Sequence, residues 1–98
     1  MDKQERVFQA NLIRDLKRLF PGCLILKNDS QYKQGILDLT VLYKRHWALL
    51  ECKISSKAPR QPLQEYYVQR ANEMSFASFI HPENREEVLH ALQAAFRT

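Results

Sequence analysis

The feature that most constrains this fold is a pair of apolar, strand-like segments with only a short polar connection between them. Residues 36–43 and 47–54 are rich in β-branched, aromatic and leucine side chains, and Lys44-Arg45-His46 separates them. A connection this short joins adjacent antiparallel strands, so the sequence predicts a β-hairpin. Successive side chains of a strand alternate between its two faces. Glu51 and Lys53 therefore share one face.

Two acidic residues interrupt these apolar segments at matching positions. If the turn has two residues, Asp38 pairs directly with Glu51; if it has three, Asp38 shifts by one position and a bulge must restore the pairing. Either hairpin brings Asp38, Glu51 and Lys53 within a few ångströms of each other. Carboxylates that are close together and partly buried are costly in free energy. A divalent cation would offset that cost.

This group of side chains suits hydrolysis of a phosphodiester. Carboxylate oxygens of Asp38 and Glu51, with the backbone carbonyl of Cys52, are the ligands that Mg²⁺ prefers. A metal ion activates water and stabilises charge on phosphate. Lys53 would orient or deprotonate the attacking water, or stabilise the pentacovalent transition state. The simpler alternative is a solvated strand face on which Asp38 forms an ion pair with Lys53.

The remaining pattern predicts three helices and two further strands. The predicted order is helix 2–20, strand 23–26, loop 27–34, the hairpin, loop 55–61, helix 62–74, strand 76–80 and a final helix that begins at Pro82. A helix between two strands favours a parallel crossover. We therefore expect an α/β fold with a mixed sheet flanked by helices, in the order α-β-β-β-α-β-α.

Composition limits the class of protein. The chain has 98 residues, 45% hydrophobic and 27% charged, which predicts one globular domain over residues 1–98. No apolar run approaches the roughly 20 residues that span a bilayer. The charged segment 1–6 leads into no signal-like apolar segment, so we expect a cytoplasmic protein. Cys23 and Cys52 lack metal-site spacing and are expected to be free thiols.

Basic residues cluster in the central part of the chain, around the predicted hairpin. The formal net charge is +4 and the isoelectric point is about 9.3, which is compatible with a polyanionic partner. The central cations are Lys27, Lys33, Lys44, Arg45, Lys53, Lys57 and Arg60. The grouping of these cations around two carboxylates indicates a nucleic-acid partner more strongly than the net charge does. Carboxylates repel nucleic acid unless a metal ion and nearby cations offset their charge.

The chain resembles the PD-(D/E)xK nuclease superfamily. Ile36-Leu37-Asp38 stands where that family has its Pro-Asp, without the Pro, and Glu51-Cys52-Lys53 corresponds to the second half of its motif. The layout is most similar to the small VRR-type nucleases of phages and bacteria and to the archaeal-type Holliday-junction resolvases. The resemblance implies a restriction-endonuclease-like fold and Mg²⁺ as cofactor, with Mn²⁺ as a substitute.

The resemblance adds two side chains to the expected site. An acid on the first helix often completes the metal site of this family, and Glu5 lies on the inward face of the helix with Phe8 and Leu12. Its alternative role is a capping box with Asp2. A Gln near the start of the helix after the second half-motif corresponds to Gln64, with Gln61 as the second choice; it would contact phosphate or a water on the metal.

The resemblance also implies a substrate and an assembly. We expect a DNA endonuclease that acts on double-stranded or branched DNA as a homodimer, in a bacterium or a phage-infected cell. The alternatives are a nicking or homing-type endonuclease and a non-catalytic nucleic-acid-binding module on the same fold. Ser30 is expected to contact DNA. Contacts with its backbone phosphates are expected from Lys27, Tyr32, Lys33, Lys57 and Arg60.

Overall fold

Three helices and four strands make up the described part of the chain. The computed structural model describes residues 2–97. Along the chain the elements are α1 (Lys3–Leu19), β1 (Leu24–Lys27), β2 (Leu39–Tyr43), β3 (His46–Cys52), α2 (Pro62–Met74), β4 (Phe76–Ile80) and α3 (Arg85–Ala95). No helix in this part of the chain is long and apolar enough to cross a membrane.

The strands form one mixed sheet in the spatial order β1-β2-β3-β4. The pairs β1–β2 and β2–β3 are antiparallel, whereas β3 and β4 are parallel and are connected through α2. The α/β class and the mixed sheet with flanking helices are therefore confirmed. Parallel pairing requires a crossover connection, and α2 provides it.

The two faces of the sheet carry different helices. Leu50 and Cys52 of β3 are fully buried in the main core with α1 and α3 side chains, including Leu12 and Leu92. On the opposite face, α2 contributes to a smaller cluster with Trp47 and Leu49 of β3. This division follows from the alternation of side chains along β3. It leaves Glu51, which lies between Leu50 and Cys52, on the α2 face.

Helix α1 changes character along its inward face. Leu16 and Leu12 are fully buried, Gln9 is also buried, and Glu5 is partly buried one turn nearer the N-terminus. These positions are spaced three or four residues apart, so their side chains lie in one row. The C-terminal part of α1 therefore supports the core, and its N-terminal turn carries polar groups towards the end of the sheet.

Several predicted boundaries are wrong by a few residues. Strand β2 begins at Leu39 rather than at residue 36, because the chain before it makes a turn in which the Ile36 N–H donates to Lys33 O at 3.1 Å. Strand β3 ends at Cys52 and not at residue 54, and Ile54 is 38% exposed. Lys27 was assigned to a loop but is the last residue of β1, where it pairs with Leu39.

The last helix begins later than predicted. It starts at Arg85, and Pro82 lies in the preceding turn. Asn84 stabilises this turn, because its N–H donates to His81 O at 3.2 Å and its side-chain Oδ1 accepts from the His81 N–H at 2.8 Å. Because the backbone groups of His81 form these bonds with Asn84, the chain around Pro82 forms a turn and not the first turn of a helix.

Gly35 and Gly22 provide a matched test of this packing. Both have positive φ, +85° and +89°, but a Cβ on Gly35 would lie 2.5 Å from Leu63 Cβ, whereas a Cβ on Gly22 would meet nothing within 4 Å. Gly22→Ala should cost only backbone strain, about 1 kcal/mol. Gly35→Ala should cost about 2–4 kcal/mol, because α2 must also move. Urea unfolding of both variants measures the difference, and equal losses would contradict the close packing of Gly35 on α2.

Candidate functional site

The open end of the hairpin brings the two predicted acids together. The turn has two residues, since Tyr43 pairs with His46, and the register continues to Leu39 opposite Leu50. Asp38 therefore faces Glu51, as the two-residue alternative requires. The Asp38 N–H donates to Glu51 Oε1 at 3.0 Å, and the Cys52 N–H donates to Asp38 Oδ2 at 2.9 Å. Each carboxylate is thus held by the backbone of the opposite strand.

Gln64 connects the cation of the site to one of its acids. Its Nε2 donates to Glu51 Oε2 at 2.9 Å, and its Oε1 accepts from Lys53 Nζ at 2.9 Å. The Gln61 N–H also donates to Gln64 Oε1, at 3.1 Å, at the start of α2. Lys53 Nζ lies 3.9 Å from Glu51 Oε2. The amide of Gln64 is therefore a bridge that fixes Lys53 and Glu51 relative to each other.

Glu5 reaches the same site from the first turn of α1. Asp2 is the N-cap of this helix, and its Oδ1 accepts from the Glu5 N–H at 2.8 Å. The cap thus uses the Glu5 backbone and the Asp2 side chain. The Glu5 carboxyl is coupled electrostatically to Asp38 and to Lys53. Of the capping box expected with Asp2, the structure thus has the half that uses the Glu5 N–H. This half is compatible with a place for the Glu5 carboxylate in the site.

These side chains line one cavity of about 490 Å³, which we call the carboxylate cavity. Its walls are Glu5, Ser30, Gln34, Gly35, Ile36, Asp38, Glu51, Lys53, Gln61 and Gln64. The first turns of α1 and α2 border it on two sides, and the open end of the hairpin forms its floor. Of the residues expected to contact DNA, Ser30 lies here.

Burial and mutual repulsion disturb the titration of the acids. Burial, followed by the charge of Asp38, raises the pKa of Glu51 to about 8, against the lowering effect of Lys53. Burial also raises the pKa of Asp38, although the hydrogen bond from Cys52 and the charge of Lys53 oppose it. The pKa of Glu5 is raised by burial and then by Asp38. When all three acids are ionised, the cavity carries more negative charge than Lys53 alone compensates.

The donor set fits a hard divalent cation. Carboxylate oxygens of Asp38 and Glu51 lie side by side, and the excess negative charge among them is the kind that a cation relieves. The Cys52 N–H points to Asp38, and the carbonyl of an extended residue lies on the same edge of its strand, so this oxygen is directed to the same side. Among residues 2–97, however, no three His, Cys, Asp or Glu side chains already surround a common metal position. The expected ligands lie next to each other but do not surround a common metal position.

Two polar residues that support the site, the half-buried Asn28 and the buried Gln9, were not predicted. The Asn28 N–H donates to Asp38 O at 2.8 Å, and its Nδ2 donates to Leu37 O at 2.8 Å and to Thr40 Oγ1 at 2.9 Å. Asn28 thus fixes the backbone on both sides of Asp38. Gln9 makes a side-chain hydrogen bond with Cys52, whose thiol has a pKa raised by burial. Only the spacing of Gln9 from Glu5 along α1 could have indicated its inward position.

Apart from Lys53, which lines the carboxylate cavity, the predicted basic cluster divides into three groups. Lys44 and Arg45 form the hairpin turn, roughly 20 Å along the strand from Asp38, and do not belong to the site. Lys57 and Arg60 lie on the loop before α2, where the Arg60 guanidinium lies 4.1 Å from the centre of the Phe79 ring. Lys27, Tyr32 and Lys33 line a separate groove beside the carboxylate cavity.

Comparisons with known proteins add no assignment to this geometry. No family model matches the chain, and neither a curated protein nor a solved structure matches it.

The raised pKa of Glu51 has a measurable consequence for stability. Between the unfolded value of 4.5 and the folded value of about 8, the folded protein binds more protons than the unfolded chain. The free energy of unfolding of metal-free protein should therefore fall as the pH rises from 5 to 8, by about 1–3 kcal/mol. Urea unfolding in EDTA measures this slope. Glu51→Gln, which cannot titrate, should flatten this slope. A wild-type stability that rises over this range would contradict the raised pKa of Glu51.

Proposed function

We propose that this protein is a metal-dependent DNA endonuclease with a restriction-endonuclease-like fold of the PD-(D/E)xK type. The observation that supports this most strongly is the placement of Asp38 opposite Glu51, with Lys53 and Gln64 joined to them in one cavity. The helix and strand order of the chain, with β3 and β4 parallel, is compatible with that fold. In hydrolysis, water is added across one P–O bond to give a phosphate monoester and a hydroxyl.

Mg²⁺ would be held by Asp38, Glu51 and the Cys52 carbonyl. Glu5 would be a further acid at the side of the cavity, and Mn²⁺ would substitute for Mg²⁺. The ion would activate water and neutralise charge on the scissile phosphate. The chain itself sets the position of the acids, since backbone N–H groups of residues 38 and 52 hold one carboxylate oxygen each. The second oxygen of Glu51, Oε2, accepts from Gln64 Nε2, so a ligand at this oxygen would replace that hydrogen bond.

Lys53 acts on the reacting phosphate and water. Its ammonium lies at the boundary of the cavity with Glu51 on one side and Gln64 on the other. A cation fixed in this way stabilises the negative charge that develops on the phosphate, and it can orient the attacking water. Gln64 keeps Lys53 in place through its carbonyl oxygen, so we assign it a positioning role in addition to the contact with phosphate or water expected from the sequence.

The substrate is DNA, and a branched or junction structure is the form we favour. Lys57 and Arg60 lie on the loop that leads from β3 into α2, and Gln61 at its end lines the cavity. Cations in these positions can hold the phosphates that flank the scissile one. A homodimer would supply one site for each strand of a duplex, in the cytoplasm of a bacterial or phage-infected cell.

One observation favours the alternative of a non-catalytic DNA-binding module. Glu51 accepts hydrogen bonds on both of its oxygens, from Asp38 and from Gln64, and no third acid is preassembled with Asp38 and Glu51 within residues 2–97. In a binding module these bonds would persist with DNA present. In a nuclease, Gln64 must release Glu51 Oε2 when the metal ion binds.

Cleavage of labelled DNA tests the proposal. Four-way junction, linear duplex and single strand would each be incubated with Mg²⁺, Mn²⁺ or EDTA. Wild type should cut in either metal and not in EDTA. Lys53→Ala should lower kcat by about 10²–10³-fold, because it removes the cation next to the reacting phosphate. Lys44→Ala removes the same charge at the far end of the hairpin and should change kcat less than about twofold.

The controls separate loss of chemistry from loss of the fold. Circular dichroism and thermal unfolding should show that both lysine variants are folded. Asp38→Asn should abolish cutting while DNA binding in EDTA remains. Tight binding by wild type without cutting on any substrate would replace the nuclease with the binding module, and equal effects of Lys53→Ala and Lys44→Ala would contradict the role of Lys53.

A further inference from the structure

A second cavity lies directly beside the carboxylate cavity. This groove, which we call the side groove, has a volume of about 400 Å³ and is lined by Leu26, Lys27, Asn28, Tyr32, Lys33 and Ile36, with Asp29. Leu26 is 48% exposed although it is a strand leucine, and Ile36 is only partly buried. We call the apolar side chains Leu26 and Ile36 the floor of the groove, and the cations Lys27 and Lys33 its rim. The Lys33 Nζ also lies 5.5 Å from the centre of the Tyr67 ring.

Tyr32 is presented to solvent on an ordered loop. Its side chain is 90% exposed. The turn that carries it is fixed by Asp29, whose carbonyl accepts from the Tyr32 N–H at 3.1 Å and whose Oδ1 accepts from the Gln31 N–H at 2.8 Å. The same loop is packed against α2 through Gly35 and Leu63. An aromatic ring is thus held beside an apolar floor without being part of the core.

The side groove and the carboxylate cavity share a wall. Ile36 lines both of them. Asn28 lines the groove and donates its N–H to Asp38 O at 2.8 Å. A ligand in the groove therefore lies next to any phosphate held at Asp38 and Glu51.

We propose that the side groove binds one unpaired nucleobase of the DNA strand being cut, stacked on Tyr32. This proposal rests on the proposed nuclease function. A nucleobase has flat apolar faces that stack on aromatic rings, and such stacking does not depend on base identity. The apolar floor suits a base and not a phosphate, so Tyr32 binds the base, while Lys27 and Lys33 at the rim suit the phosphates next to it.

This arrangement selects substrates by structure and not by sequence. In a regular duplex both faces of each base are covered by its neighbours, so a base can enter the groove only after it unstacks. Bases that are already unpaired, at a junction centre, gap or flap, avoid that cost. The side groove thus gives a reason for the preference for branched DNA.

Two measurements test this with the full-length protein. The first is the ratio of kcat/KM for a nicked duplex with one unpaired base at the cut site to kcat/KM for the fully paired duplex. Tyr32→Ala should lower this ratio roughly tenfold, and Tyr32→Phe should preserve it, because the phenyl ring still stacks. Tyr66→Ala is the matched control, since Tyr66 is an exposed tyrosine on α2 that does not line the side groove.

The second measurement does not require cleavage. A 2-aminopurine at the unpaired position should lose fluorescence when wild type or Tyr32→Phe binds in EDTA, and not when Tyr32→Ala binds. If wild type cuts DNA but Tyr32→Ala leaves the ratio and the fluorescence unchanged, the side-groove proposal is wrong and the nuclease stands. If nothing is cut but the fluorescence loss depends on Tyr32, the base site stands and the nuclease proposal fails.

Discussion

The site depends on the reciprocal hydrogen bonds by which two strands hold each other's carboxylates. The Asp38 N–H holds Glu51, and the Cys52 N–H holds Asp38. At the open end of the hairpin, these two backbone N–H groups thus donate to carboxylate oxygens. In a longer hairpin, backbone N–H groups would donate to backbone carbonyls instead. This exchange fixes two acids side by side. A slip of the hairpin register by one residue would turn Asp38 to the opposite face and destroy the pair.

The helices packed on both faces of the sheet hold the two acids in place. The residues on either side of Glu51 in the sequence, Leu50 and Cys52, are fully buried against α1 and α3, so β3 cannot rotate. Glu51 is only 4% exposed as a consequence. Charge in such a place needs partners, and these are Gln64 in the first turn of α2 and Lys53 directly after β3. The first turn of α1 instead adds a further acid, Glu5, whose charge opposes ionisation of Glu51. Gly35 allows the loop between the strands to approach α2 closely enough to form the cavity.

The sequence was informative where spacing alone determines geometry. The short connection between two apolar segments predicted the hairpin and left two turn lengths open, of which the structure has the two-residue turn that pairs Asp38 with Glu51. The inward position of Glu5 followed from helical periodicity in the same way. The bridge made by Gln64 is different, because its partners come from β3 and depend on how α2 docks.

Contacts between residues far apart in the sequence could not be predicted, because they depend on how the helices, strands and loops pack together. Asn28 belongs to a polar loop, and nothing local shows that it fixes the backbone around Asp38. Lys44 and Arg45 are close to Asp38 in sequence but lie at the other end of the hairpin, because a strand separates them by its length. Helix α3 begins late because the Asn84 side chain accepts a hydrogen bond from the His81 N–H, and this bond stabilises a turn at Pro82.

Anomalous diffraction from crystals grown with Mn²⁺ would test the central claim most directly, because it locates the metal ion without relying on activity. The account predicts one anomalous peak in contact with the Asp38 and Glu51 carboxylates, with Gln64 moved away from Glu51 Oε2. Asp38→Asn crystals grown in the same way should lack the peak. A fully occupied Mn²⁺ elsewhere on the protein, or no peak at saturating metal with the Gln64 bridge intact, would contradict it.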